Sequence, residues 1–222
     1  MERFEEFNIA GSDLYARGLV DTRSGNMSIR VGSKIYITRR NSMLGHLKEA
    51  DIVEVQLEGP GEGDSSASRE LPVHRAIYRE TSFNAIVHAH PPYGTALSLV
   101  TENKIAPLDS EGQLILRGIP IVRTKEKIAS EEAAKLLPPI FKSNYPVAII
   151  REHGSFAVGA DLYEALYHTT CMECSCKIIA INKAMSKPEV KREVEREHRR
   201  SAIPPGIGVM DRTRGFKRGF GR

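Results

Sequence analysis

The sequence predicts an α/β protein whose central sheet is largely antiparallel and flanked by helices. Two observations carry this. Helix-period and strand-period hydrophobic patterns alternate along most of the chain. Several of the strand patterns are separated by turns of one or a few residues, which suit hairpins and are too short for parallel crossovers. With 222 residues, 41% of them hydrophobic and 27% charged, the chain has the makings of one soluble domain around one core. No apolar run approaches the length of a membrane helix. The acidic, helix-like N-terminus does not read as a secretory signal. Three cysteines are too few for a disulfide scaffold, so a cytoplasmic setting is expected.

Residues 2–17 read as an amphipathic helix, with Phe4, Phe7, Leu14 and Tyr15 among its apolar positions. The turn signal SGN (24–26) leads into MSIRVGSKIYIT, two short strands around a Gly-Ser turn. DIVEVQL alternates as a strand does, and GPGEGDSSAS is the loop richest in Gly and Ser. ELPVHRAIYRET reads as a helix with Glu70 and Pro72 in its first turn, where acid and proline are tolerated. NAIVHAH is a strand, and PPYGTALSLV becomes helical after its prolines. IPIVR is a short strand, and SEEAAKLLPPIF a helix with a capping-box start at Ser130. YPVAIIREHG is a strongly apolar strand with SFAVGA as its hairpin partner, and residues 161–186 form one long helix.

The phrase NAIVHAHPP is unusual, because histidine is not a favoured strand residue. Strand side chains alternate between faces, so His88 and His90 point the same way and small Ala89 suits a buried opposite face. Pro91 and Pro92 end the strand and place the pair at a sheet rim. Such a pair offers two imidazoles to one metal, although two surface histidines fit the same pattern. VAIIREHGS ends in the same manner at His153, which read alone is a turn histidine. Three nitrogen ligands with an open fourth position describe a catalytic zinc site. Glu70 starts a helix one short element before the His88 strand. A carboxylate there could ligate a metal, remove a proton from a substrate, or serve as a helix-dipole partner.

The segments SGNMSIR, YIT, RELPVHRAIYRE, AIVHAHPPYGTALS and REHGSFAVGADLYEAL together resemble the class II aldolase/adducin family. The resemblance runs from about residue 1 to 185. It implies a three-layer α/β/α sandwich with a mostly antiparallel sheet, as a catalytic domain over residues 1–187. It also implies a homotetramer with sites between subunits, and Zn2+ held by His88, His90 and His153. Glu70 matches the acid that ligates resting metal and then acts as base. The implied reaction is aldol cleavage of a ketose 1-phosphate, such as fuculose 1-phosphate, to dihydroxyacetone phosphate and an aldehyde. Its electrons would pass through a metal-stabilised enediolate. Ribulose-5-phosphate 4-epimerases, dehydratases and decarboxylases of the family are the rival enzymes, and Glu rather than Asp at position 70 favours the aldolase. A non-catalytic adducin-like scaffold is the reading of another class. The intact set of Glu70 and three histidines argues against it.

The resemblance maps phosphate contacts onto Arg23, Gly25, Asn26, Arg40, Asn41, Ser68 and Arg69. Gly25 and Asn26 keep the family pattern, while TRRN stands where relatives carry a TPTG-like turn. The arginines suit phosphate, a carboxylate or a larger anion, or are surface residues on loops. Where fuculose aldolases carry a tyrosine that protonates the leaving group, this chain has Asp109, Ser110 and Glu111. Asp109 and Glu111 are thus candidate acids, alongside a residue of another subunit or a different substrate.

Cys171, Cys174 and Cys176 could bind zinc or an iron–sulfur cluster. Their segment reads as helix interior, with Cys171 and Cys174 on one face, so buried small residues are the better account. The net charge is +4, and residues 188–222 are rich in Lys, Arg and Gly. That tail permits nucleic-acid binding, but a solvated helix end with a mobile segment is the simpler reading, and docking on a neighbouring subunit is a third.

Overall fold

The structure, a computed structural model, describes residues 2–186 together with Glu193 and Glu197. The expectation for the basic tail therefore lies outside the described residues, apart from the helical conformation of those two glutamates. Residues 2–182 form one compact unit.

The elements follow the sequence patterns closely. Helix α1 (Glu2–Ala16) precedes β1 (Asn26–Val31), β2 (Lys34–Thr38) and β3 (Ile52–Gln56), then α2 (Leu71–Glu80) and β4 (Ala85–Ala89). The chain continues through α3 (Pro92–Val100), β5 (Lys104–Ile105), α4 (Ser110–Leu116) and β6 (Ile119–Val122). It ends in α5 (Glu131–Lys142), β7 (Val147–Ile150), β8 (Gly154–Gly159) and α6 (Leu162–Met185). The periodicity did not reveal β5 or α4, which have two and seven residues and are too short to build a recognisable period.

The strands form one eight-stranded sheet in the order β3-β2-β1-β4-β8-β7-β6-β5. Every neighbouring pair is antiparallel except β6 and β7. That parallel pair is joined through α5, as a crossover requires. The strand period then sorts side chains onto two faces. Ile86, Ala148, Ile150, Phe156 and Val158 meet Ile77 and Tyr78 of α2 and Leu137 and Phe141 of α5. Ala85, Val87 and Ala89 meet Phe7 and Leu14 of α1 and Leu162 of α6. Val147, Ile149 and Ala157 meet Leu97 of α3, Leu116 of α4 and Met172 of α6. Helices thus cover both faces, and the layers are α/β/α.

Three local expectations are corrected. Ser130 caps α5 by accepting the Ala133 N–H at 3.3 Å, but position 133 has no carboxylate to close a capping box, and Glu132 instead accepts the Lys125 N–H. Glu70 is the N-cap residue of α2 rather than part of its first turn, and its side chain makes no capping bond. Cys171 and Cys176 are buried, whereas Cys174 is exposed. The core face of α6 runs through Ala165, Thr169, Met172, Cys176 and Ile179, and at 100° per residue position 174 lies opposite it.

Candidate active site

Histidine 88 lies on β4 and faces the α2 layer, with Ile86. His90 falls just past the strand, where its N–H donates to the Leu19 carbonyl at 2.8 Å. His153 sits in the turn between β7 and β8, and β8 pairs directly with β4. Antiparallel pairing therefore brings the start of β8 against the end of β4. The three rings meet there, with centroids 4.7 to 5.0 Å apart. One ring nitrogen from each can be chosen so that all lie within 4.8 Å of one another. Gly154 allows this approach, since a Cβ there would collide with the Ala89 carbonyl and come within 2.9 Å of the His90 ring.

Protonation is set by the surroundings. The Nδ1–H of His88 donates to the Ser155 carbonyl at 2.9 Å, which leaves Nε2 bare and aimed at Nε2 of His90, 3.1 Å away. This is the arrangement by which an outer-shell carbonyl orients a metal-binding imidazole. Phe156 stacks on the His88 ring with centroids 4.3 Å apart. Burial holds all three histidines below their ordinary pKa: His88 well below, with the His153 and His90 charges adding to the effect, His90 lowered, and His153 down to about 4. Neutral imidazoles are what a metal needs.

Glu70 is 4% exposed, and one of its oxygens accepts the Ala129 N–H at 3.0 Å. Burial raises its pKa, opposed by that N–H and by Arg69. Its other oxygen and Nδ1 of His153 are buried with no partner. Three neutral imidazoles with mutually close ring nitrogens fit a divalent cation, and the unpartnered Glu70 oxygen belongs to a residue that lines the same cavity as the histidines. The donor set of three ring nitrogens suits zinc or a neighbouring transition metal.

A cavity of about 90 Å³ adjoins the histidines. Its walls include His88, His90, His153 and Glu70, and also Arg23, Gly25, Arg40, Asn41, Ser68 and Arg69. Residues far apart in sequence thus converge as the motif reading expects. Gly25 and Asn41 adopt φ values of +77° and +63°, the left-handed turns from which backbone N–H groups can cradle an anion. Asn26 does not line the cavity: it is 6% exposed, and its Oδ1 bonds His74 Nε2 at 2.7 Å. Asp109 and Glu111 are not brought to the histidines either. Asp109 caps α4 through the Gly112 N–H at 2.8 Å, and Glu111 accepts the Tyr167 hydroxyl. The cavity also takes in Ser24, Arg39 and Ile128. Arg39 is the neighbour of Arg40 in TRRN, so its residue type was a usable signal. Ser24 lies inside the SGN turn between Arg23 and Gly25, so it too was a usable signal, whereas Ile128 carries no chemical signal in sequence.

Residues 5–180 match the family model described as "Class II Aldolase and Adducin N-terminal domain". The chain belongs to the class II aldolase/adducin family. Among class II relatives, the L-fuculose phosphate aldolase of Methanocaldococcus jannaschii is 34% identical over 180 residues, which cover 78% of this chain and 93% of that one. A methylthioribulose-1-phosphate dehydratase of Acidiphilium cryptum is 29% identical over 79% of this chain and 90% of its own. In structure, the class II fold is shared with the l-fuculose-1-phosphate aldolase of Thermus thermophilus. There the TM-score is 0.79 and the identity 36%, over 83% of this chain and 96% of that one. Among the described residues no helix is long and apolar enough to cross a membrane.

Proposed function

We propose that this chain is a zinc-dependent lyase that cleaves a ketose 1-phosphate, such as fuculose 1-phosphate, to dihydroxyacetone phosphate and an aldehyde. One observation carries the reading: three neutral imidazoles with mutually close nitrogens line a cavity together with a buried carboxyl and several arginines. His88, His90 and His153 would hold the metal, with Glu70 as a further ligand. A bound divalent cation supplies the electrophile that polarises the substrate carbonyl. The protein's own groups do the rest. Ser155 and Phe156 keep the His88 ring in place. Burial raises the proton affinity of Glu70, which suits it to take and return a proton at the reacting carbon. Arg23, Arg40, Arg69, Ser68 and the turns at Gly25 and Asn41 would hold the phosphate at the far end. Asp109 and Glu111 are engaged within α4 and with α6, so a residue from a neighbouring subunit of a homotetramer suits the leaving-group proton better. A small-molecule substrate in the cytoplasm is the setting that this reading implies.

A second reading is favoured by a specific observation: one relative is named a methylthioribulose-1-phosphate dehydratase at 29% identity. Dehydration needs the same metal and a base, and ends in loss of water rather than carbon–carbon cleavage. A panel of ketose 1-phosphates and 5-phosphates, incubated with zinc-loaded protein, separates the two. Dihydroxyacetone phosphate from fuculose 1-phosphate supports the aldolase; water loss or epimer formation without cleavage sinks it. Glu70→Gln should keep metal and fold while turnover falls by roughly 10²- to 10⁴-fold, the usual contribution of a positioned acid–base group. Wild-type turnover by that variant removes Glu70 from the chemistry.

A further inference from the structure

Glu173 is a buried titratable group that the metal and phosphate readings do not use. It sits on α6 and is 8% exposed, and its side chain leaves its own helix to reach α3. One carboxylate oxygen accepts the Tyr93 N–H at 2.8 Å. The other accepts the Gly94 N–H, also at 2.8 Å.

The first turn of a helix leaves its N–H groups without partners inside the helix. In α3 few such groups exist. Pro91, the N-cap residue, and Pro92, the first helical one, have no N–H. The Thr95 N–H already closes on the Pro91 carbonyl. Tyr93 and Gly94 therefore carry the free donors of that turn, and Glu173 takes both. A carboxylate at this end also complements the helix dipole. Burial raises the Glu173 pKa, while the two N–H groups and Lys177 favour its charged form. The seat on α6 is close: a Cβ on Gly94 would come within 2.9 Å of Met172 Sδ and 3.5 Å of Glu173 Oε2.

This anchor lies three residues from His90. Between His90 and Tyr93 stand only Pro91 and Pro92, whose rings fix φ, and a residue before a proline is itself held to extended backbone. A shift at the start of α3 is therefore passed to His90 with little slack. The far end of α3 reaches a second histidine. Arg151 Nη2 donates to the Leu99 carbonyl at 2.7 Å, and the Glu152 N–H donates to Ser98 Oγ at 3.4 Å. Both donors belong to the turn that carries His153. Helix α3 thus braces the two histidines that lie outside regular strand, and Glu173 fastens it to α6. We propose that Glu173 is a positioning residue: by holding the Tyr93 and Gly94 N–H groups it sets the start of α3, and through the two prolines it fixes His90 against His88 and His153 for a shared metal ion. The role rests on the reading of the three histidines as a metal site.

The test uses full-length protein loaded in turn with Zn2+ and with Co2+, whose visible absorption reports ligand geometry. Glu173→Gln keeps the shape but sets an NH2 group against one of the two N–H donors. Glu173→Asp keeps the charge and withdraws it by one methylene. Zinc affinity should fall about tenfold in each, the usual loss when a group that orients a metal ligand is removed. The Co2+ bands should shift. In metal-free protein the Tyr93 and Gly94 amide hydrogens should exchange faster than in wild type. Ile35→Ala separates position from stability. Ile35 is buried in the core and pairs with Arg30, at the end of β1 away from the Asn26–His88 pair. Its urea midpoint should fall while zinc affinity and the Co2+ spectrum stay wild type. A folded Glu173→Gln with wild-type zinc affinity and an unchanged Co2+ spectrum overturns the proposal, as does an equal loss of affinity in Ile35→Ala. If Glu173→Gln does not fold, Glu173→Asp serves, and wild-type values for both readouts overturn the proposal equally. Wild type that takes up metal but cleaves no ketose phosphate overturns only the lyase reading, because neither readout uses substrate. Wild type that takes up no metal overturns the metal reading and this role together.

Discussion

Nε2 of His88 and Nε2 of His90 lie 3.1 Å apart, and the far nitrogen of His88 is committed to the Ser155 carbonyl. Two ring nitrogens so close, one of them bare, could serve one metal ion together. Purified protein should hold about one transition-metal ion per chain, measured by plasma mass spectrometry after dialysis. His88→Ala, His90→Ala and His153→Ala should each lose most of it while circular dichroism stays native. Full metal content in any one of them removes that residue from the ligand set.

Gly154→Ala tests the close approach of β8 to β4. Its Cβ would collide with the Ala89 carbonyl and press on the His90 ring. The strain should cost roughly 1–3 kcal/mol, as overpacking does, and displace His90. Lower urea midpoint and weaker metal binding should appear together. A stable variant with unaltered metal affinity would show that the turn can yield without moving the ligands.

Arg23, Arg40 and Arg69 border the cavity and form no salt bridge within the described residues. Free guanidinium groups beside an anion-sized cavity should contribute to KM rather than to stability. Arg40→Ala and Arg69→Ala should each raise KM for a phosphorylated ketose by about tenfold, the worth of one charge-assisted contact. Thermal midpoints should move little. Equal KM values for wild type and both variants would reassign these residues to the solvated surface.

Buried His74 also predicts an acid limit to stability. Its pKa is about 3 in the fold against 6.5 unfolded. Below pH 6.5 the unfolded chain takes up a proton that the folded one refuses until about pH 3. The contribution is therefore complete above 6.5 and shrinks as pH falls, by at most about 1.4 kcal/mol per pH unit. Urea unfolding at pH 7, 5.5 and 4.5 should show a steeper decline for wild type than for His74→Gln. Identical slopes would mean that folding does not lower the His74 pKa.

The sequence was most informative where the rule was local. Periods of 2 and 3.6 residues marked the strands and helices that carry the site. The spacing of His88 and His90 placed them on one face, and the proline after them marked the rim. The motif resemblance also named Glu70 and His153 without any coordinates. It was silent on β5 and α4, whose few residues cannot display a period, and it left the proton donor open among Asp109, Glu111, another subunit and a different substrate, where the structure shows Asp109 capping α4.

What the tertiary structure decided was non-local. Nothing in the letters says that β8 enters between β4 and β7, yet that order puts His153 against His88 and His90. The groups that hold His88 and Glu70 in the candidate site are backbone atoms, the Ser155 carbonyl and the Ala129 N–H, and every residue type has a carbonyl to offer. Asn26 could be read as a phosphate contact, but only packing against α2 ties its oxygen to His74. Local patterns determine which elements form and which way their side chains face. Pairing order and backbone partners depend on the whole chain folding at once, and so they became visible only in three dimensions.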